Sequence, residues 1–316
     1  MRILFMGTPD ISVPTLETLI ASEHEVVGVV SQPDRPKGRG KQLQPTPVKE
    51  VALKHNIPVY QPNRVREEGF VETIAALDVD LAVVIAFGQI LPKAFLDLPK
   101  HGCINIHASL LPLYRGAGPI QRAVINGDAV TGITTMMMDV GMDTGDMLLK
   151  EEVVIDDKET GGSLFDKLSV VGGPLVLKTI KALEDGSLVR HPQNHEQATY
   201  APMLDKKLGN IDWKMPAVEI ERLIRGLNPW PSAFTYLGGK MLKLWEAEVV
   251  ELEDGAQTPG TLLDFDKDGF VVACGEDGLK IKSLQLQGKK RMATGDFLRG
   301  FSVEEGAVLK PMPENE

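Results

Sequence analysis

Through the first 190 residues, short apolar runs closed by glycine or proline alternate with stretches whose apolar positions recur every three or four residues. Runs of the first kind predict strands at 2–7 (RILFMG), 25–31 (EVVGVVS), 81–88 (LAVVIAFG), 103–109 (CINIHAS) and 132–139 (GITTMMMD). The second kind predicts helices at 14–22, 48–55, 119–127 and 163–186. This alternation predicts an α/β domain over 1–189 with a Rossmann-like parallel sheet, its ligand sites at the carboxyl ends of the strands. The stretch 190–208 has no sustained period and reads as a linker. Residues 209–316 show one helical pattern followed by short strands between Gly, Asp and Lys turns, which favours a small barrel.

One predicted strand departs from the apolar rule. Side chains at i, i+2 and i+4 share a strand face, so Asn105, His107 and Ser109 project together while Ile104, Ile106 and Ala108 cover the other side. A buried polar row costs desolvation unless partners or a ligand satisfy it. A hydrogen-bonded core histidine and a substrate site fit the row equally well. Cys103 lies one position deeper on the same face and reads as a small core residue.

A second polar feature follows the strand at 132–139. The loop MDVGMDTGDML (138–148) carries Asp139, Asp143 and Asp146 among glycines. It is expected at the same sheet edge as the end of 104–109. Asp-Gly loops often spend their carboxylates on local turns, but one of the three could instead reach the imidazole and orient it. An amide donor, an imidazole and a carboxylate together suit acyl transfer to an amine. The donor stabilises the oxyanion of the tetrahedral intermediate, and the basic groups collect the amine proton. A pre-activated acyl donor needs no serine or cysteine nucleophile.

Composition is that of a globular protein, 43% hydrophobic and 25% charged. The net charge of −10 excludes a protein that coats nucleic acid or anionic membrane through its overall field. Against that background, SQPDRPKGRGKQLQPTPVK (31–49) gathers Arg35, Lys37, Arg39, Lys41 and Lys49 against Asp34. Its prolines and glycines forbid a regular helix. A solvated loop and a phosphate-seeking loop are both compatible with this charge. Two cysteines far apart, with no CxxC pair, exclude a disulfide framework. No apolar run approaches membrane-span length and no signal-peptide layout is seen, so a cytoplasmic enzyme is expected. The strand-one turn GTPD (7–10) lacks a dinucleotide fingerprint. His191 and His195 are spaced i, i+4 around Pro192, which disfavours a zinc-binding helix; no metal is expected. GKKRM (288–292) adds a local basic cluster to a C-terminal region that is acidic overall.

INIHASLLPLYRGAGPIQRAVINGD and TGITTMMMDVGMDTGDML closely resemble the folate-dependent formyltransferases. GTPD, QPDRPKGRGKQLQPTPVK, TYAPML, NPWPSAF and GKKRM extend the resemblance over residues 2–292 and toward the branch acting on charged tRNA. The resemblance implies transfer of formyl from 10-formyltetrahydrofolate to the α-amino group of methionine on initiator tRNA. It implies a catalytic triad of Asn105, His107 and Asp143, and a folate-contacting loop of Ser109, Leu110, Leu111 and Pro112. FGQILP (87–92) would line the pterin pocket. Arg35, Lys37, Arg39 and Lys41 become tRNA contacts, and an OB-like C-terminal domain assists tRNA binding. A monomer without membrane association is expected. Leu113 and Ile11 depart from the family pattern, which commonly has a basic and an aromatic residue there; neither touches the triad. Three rival readings remain: a related enzyme acting on a small amine, a non-catalytic tRNA-binding homologue, and a formate-releasing hydrolase.

Overall fold

A computed structural model describes residues 1–37, 42–67, 69–253 and 257–312, excepting the side chain of Lys37. The chain divides into two compact units. The first comprises Met1–Pro119, Val130–Val154 and Phe165–Ala201; the second comprises Ile120–Ala129, Ile155–Leu164 and Pro202–Glu316.

The strands of the first unit are β1 (Arg2–Gly7), β2 (Glu25–Val30), β3 (Arg35–Lys37), β4 (Gln42–Gln44), β5 (Val59–Tyr60), β6 (Leu81–Ile85), β7 (Cys103–His107), β8 (Arg115–Gly116), β9 (Val130–Met137), β10 (Met147–Val154) and β11 (Tyr200–Ala201). Helices in the same span of chain are α1 (Val13–Ile20), α2 (Pro47–Lys54), α3 (Phe70–Ala75), α4 (Lys93–Leu96), α5 (Pro119–Asn126), α6 (Gly161–Ser169) and α7 (Gly172–Glu184). Seven strands form one sheet in the order β10-β9-β7-β6-β1-β2-β5. β1, β2, β5, β6 and β7 are parallel. Their Val- and Ile-rich runs suit strands covered on both faces, and all five residues of β6 are buried.

On one sheet face, Ile106 of β7 and Ile85 of β6 lie against the start of α7, and glycine makes that approach possible. A Cβ on Gly172 would stand 3.0 Å from Thr15 Oγ1 and 3.2 Å from Ile106 Cγ2, and one on Gly173 would stand 2.4 Å from Thr18 Oγ1. The expected single helix at 163–186 is accordingly two, divided where α7 begins its close packing on α1. The other face carries Leu4, Met6, Ala82, Val84 and Cys103, packed with Ile74, Phe87, Phe95 and Leu96. Asn105 and His107 continue that face beyond Cys103.

The direction of β9 differs from expectation. It runs antiparallel to β7, pairing Ile104 with Met137 and His107 with Thr134. Its end therefore lies beside the start of β7, not at the carboxyl edge. A strand buried on both faces is apolar whichever way it runs, so composition carries no sign of direction. β10, antiparallel to β9, closes the sheet. Its Lys150, Glu151 and Glu152 suit an exposed edge strand and break the apolar run that marks the other strands.

In the second unit, α8 (Ala217–Gly226) is followed by β12 (Ala233–Leu237), β13 (Lys240–Val250), β14 (Leu262–Leu263), β15 (Phe270–Ala273), β16 (Gly278–Leu286), β17 (Met292–Ala293) and α9 (Thr294–Gly300). The antiparallel sheet runs β12-β13-β16-β15-β14, with β17 on β16. It curls around a core that includes Trp213, Leu242, Leu244, Phe270, Ile281 and Phe297. Ala217, Ile220, Leu223 and Ile224 lie at helical spacing on α8 and are buried in that core. Each such leucine or isoleucine contributes roughly 1.5–3 kcal/mol by leaving water. Among the described residues no helix is long and apolar enough to cross a membrane.

Candidate active site

β7 places Asn105 and His107 on one face by its period of two, and the 139–146 loop returns across that face to meet them. Asn105 Nδ2 donates to Asp143 Oδ1 at a long 3.4 Å, and His107 Nδ1 lies 3.7 Å from Asp143 Oδ2. Asp143 Oδ2 also accepts the Gly116 N–H at 2.8 Å. His107 is 6% exposed, and its Nε2 is 2.9 Å from the Tyr114 carbonyl. A carbonyl only accepts, so Nε2 carries the proton and Nδ1 is the ring atom turned to the carboxylate. Of the three loop aspartates, Asp139 makes a local turn, accepting from Gly141 N–H at 2.9 Å and Thr144 Oγ1 at 2.6 Å. The Asp146 carbonyl accepts from Met137 N–H at 2.8 Å. Asp143 alone of the three reaches the polar row, from a left-handed backbone with φ 53°. That region costs most residues roughly 1–2 kcal/mol and is visited more readily by aspartate.

The loop after β7 is held from within. Ser109 is fully buried, and its Oγ donates to the Leu113 carbonyl at 2.6 Å. Thr134 Oγ1 donates to the Ser109 carbonyl at 2.7 Å and accepts the Leu111 N–H at 3.1 Å. Lys150 Nζ donates to the Leu111 carbonyl at 2.5 Å, just before the cis peptide bond to Pro112. Burial holds the Lys150 ammonium below the usual lysine range. Leu111 is buried, Leu110 and Pro112 are half-buried, and Leu113 is exposed.

Segment 191–201, expected to link two domains, packs into the first unit. Tyr200 and Ala201 pair in parallel with Arg115 and Gly116. Gly116 has φ 110°, and a Cβ there would lie 2.7 Å from the Ala201 carbonyl oxygen, so this approach needs glycine. His191 exchanges two backbone hydrogen bonds of 2.9 Å with Met147. His195 Nδ1 accepts from Arg115 Nη2 at 3.2 Å, since a guanidinium only donates. Arg115 is 1% exposed, and its Nε and Nη2 donate to Gln193 Oε1 at 3.0 and 2.7 Å. Sequence reasoning missed Gln193, Thr134 and Lys150. Each lies outside the polar row or in a stretch without period, and no spacing marks it.

The basic excursion after β2 has a different character. β3 and β4 form a two-stranded ribbon, and Arg35 is exposed. Arg39 and Lys41 lie outside the described residues, as does the Lys37 side chain. Lys49 Nζ donates to Asp34 Oδ2 at 2.6 Å and to Gln61 Oε1 at 2.7 Å. The Gln61 amide, donating to Asp34 Oδ1 at 2.7 Å, and then Lys49 hold the Asp34 carboxyl below its ordinary value. At the ends of β1, β2 and β6 lies a cavity of about 480 Å³, lined by Thr8, Gln32, Arg35, Thr46, Phe87 and Gly88 among others. This is the strand edge where parallel α/β sheets keep their ligands. A larger hollow of about 680 Å³, with Lys93, His101, Cys103 and Arg190 on its walls, opens by the starts of β7 and α4. Asn105, His107 and Asp143 line neither hollow. Burial pushes the Cys103 thiol up to about 12, so it is no thiolate nucleophile at neutral pH. In the second unit, Arg291 of GKKRM lies 5.3 Å from the Trp245 ring centroid and Lys243 Nζ lies 5.8 Å from it.

Residues 1–180 match the Formyl transferase family model, and residues 203–302 match that of the Formyl transferase C-terminal domain. The chain belongs to the formyl transferase family. Within it, the chain is 57% identical over 309 residues to the methionyl-tRNA formyltransferase of Agathobacter rectalis, covering 98% of this chain and 99% of that one. The methionyl-tRNA formyltransferase of Clostridioides difficile is 50% identical over 98% of this chain and 100% of its own. The fold is shared with WlaRD, a sugar 3N-formyl transferase solved with dTDP and 5-N-formyl-THF. That likeness has a TM-score of 0.67 at 18% identity, over 92% of this chain and 99% of that one. HypX from Aquifex aeolicus, solved with tetrahydrofolic acid, gives a TM-score of 0.63 at 18% identity, over 94% of this chain and 47% of that one.

Proposed function

We propose that this chain transfers the formyl group of 10-formyltetrahydrofolate to the α-amino group of methionyl initiator tRNA. The observation that carries the reading is the convergence of Asn105, His107 and Asp143 from a strand and a loop 38 residues further on. The names of the full-length relatives supply the methionyl-tRNA acceptor, and the folate donor is in keeping with the folates bound to HypX and WlaRD. The free amine attacks the formyl carbon, the carbonyl oxygen becomes an oxyanion, and the tetrahedral adduct collapses with departure of the folate N10, which takes up a proton. Asn105 Nδ2 donates to the oxyanion. Its present bond to Asp143 is long, so exchanging it for the oxyanion costs little. His107, with Nε2–H engaged by the Tyr114 carbonyl, receives or relays the proton at Nδ1. Asp143 orients the site and accepts the amine proton directly or through water. The α-amino group has a reference pKa of roughly 8, lowered further by its ester neighbour, so a neutral nucleophile is available near pH 7.

Loop 109–112, fixed from behind by Ser109, Thr134 and Lys150, borders the folate. Arg35, Lys37, Arg39 and Lys41 meet the tRNA backbone, and the C-terminal unit assists. The reaction belongs in the cytoplasm, with charged tRNA. The test supplies 10-formyltetrahydrofolate with charged initiator tRNA, charged elongator tRNA, an amino sugar nucleotide, or no acceptor. Formylation of the initiator alone is expected. Preference for the small amine, or formate release without an acceptor, would overturn the reading.

A further inference from the structure

Asp143 sits on a loop, and its tether is a residue fifty positions away. Gln193 Nε2 donates to the Asp143 carbonyl and to the Gly145 carbonyl, both at 2.8 Å. Gln193 Oε1 accepts both Arg115 bonds, at 3.0 and 2.7 Å. The amide orientation is forced, because a guanidinium only donates and carbonyls only accept. Both amide hydrogens and both lone pairs are therefore committed, in a side chain whose residue is 6% exposed. The arrangement grips Asp143 twice. Gln193 holds its backbone, and Gly116, the neighbour of Arg115 in β8, holds carboxylate Oδ2 through its N–H at 2.8 Å. The buried Arg115–Gln193 pair thus fixes the donors at both ends of the aspartate relative to each other.

We infer that Gln193 is a positioning residue for Asp143, setting the carboxylate against His107 and Asn105 without touching substrate. The role in turnover rests on the formyl-transfer reading; the positioning itself does not. The competing explanation is that Gln193 only satisfies buried Arg115. Gln193→Glu separates the two. It keeps the acceptor for Arg115 and adds an ion pair, but it removes both donors and turns an anionic oxygen toward two carbonyls.

The test uses the full chain with ¹⁵N-labelled histidine. Gln193→Glu, folded by its cooperative thermal transition, is expected to move the His107 ring signals to where Asp143→Ala moves them. Its kcat should fall on the order of 10–100-fold, as for a misplaced catalytic group, with the KM for the folate within about 2-fold of wild type. In the Asp143→Ala background the same change should cost nothing further. Unmoved His107 signals, a wild-type kcat, or losses that multiply in the double variant would each overturn the inference. The ring signals decide the positioning even if the wild type formylates nothing, an outcome that counts against the proposed function alone.

Discussion

The polar row of β7 and the basic excursion after β2 both interrupt apolar runs, but they handle polarity in opposite ways. Asn105 bonds to Asp143, Asp143 to the Gly116 N–H and His107 to the Tyr114 carbonyl, with the imidazole set against the carboxylate, and Gln193 and Arg115 back the aspartate from the interior. The excursion keeps Arg35 in solvent, while among its described charged side chains Asp34 is bonded to Lys49 and Gln61. Bond-making needs atoms fixed to within fractions of an ångström, which buried and fully used hydrogen bonds supply. Polyanion recognition needs charge density and tolerates loose placement, because its gain comes from releasing counterions.

Removing a donor from the fixed region should have the largest effect. Asn105→Ala should lower kcat by about 10²–10³-fold, the loss typical of one oxyanion donor, while leaving folate binding nearly unchanged. Near-normal turnover in steady-state assays would show that the row does not serve the reaction. Lys150→Met comes next. It takes the donor from the Leu111 carbonyl, a loss of about 1–3 kcal/mol for a buried acceptor, and should raise the KM for the folate more than it lowers kcat. A pH series adds a signature. Burial lowers the Lys150 pKa in the fold, so between that value and roughly 10.4 the unfolded chain holds more protons at this site. Native stability contributed here therefore rises with pH across that window. The thermal-midpoint difference between wild type and Lys150→Met should shift in favour of wild type as the window is crossed, and an opposite slope would refute the burial argument.

In the excursion the expected change is one of salt dependence more than of rate. Neutralising Arg39 and Lys41 together should raise the KM for tRNA, leave the folate KM alone, and flatten the salt dependence of tRNA binding. The logarithmic slope should drop by about 0.7–0.9 for each phosphate no longer neutralised. An unchanged slope would make the excursion a solvated loop and end the contrast.

The same contrast explains what could be read from the sequence. The row was legible because a strand's period of two puts Asn105 and His107 on one face whatever surrounds them. The five parallel strands were legible in part, four as apolar runs; β5, only two residues long, has no run to read. The antiparallel course of β9 was hidden because apolar burial has no direction, and β10 was hidden by the charges proper to an edge. Asp143 was narrowed to one of three aspartates by pattern and singled out by resemblance. Its geometry follows from a left-handed turn that the surrounding glycines obscure. Gln193 could not be found, since a glutamine in an aperiodic stretch announces nothing until Arg115 is buried against it.

The smallest expected effect tests whether the excursion has any fixed point. Asp34 is bonded to Gln61 and Lys49, which hold its carboxyl below the ordinary range. A carboxylate so lowered contributes stability that is fully present above its unfolded value of 3.8 and is lost as pH falls through the lower folded value. Asp34 and Lys49 side chains are 28% and 21% exposed, so solvent screens the pair. Asp34→Asn should then cost about 0.2–1 kcal/mol at neutral pH, the range of partly exposed ion pairs. That difference should vanish once the pH is below the folded value. Urea titrations of both proteins at neutral and acid pH measure it. A difference that persists undiminished in acid would assign the Asp34 contribution to packing, and the excursion would then be pinned much as β7 is, by contacts independent of charge.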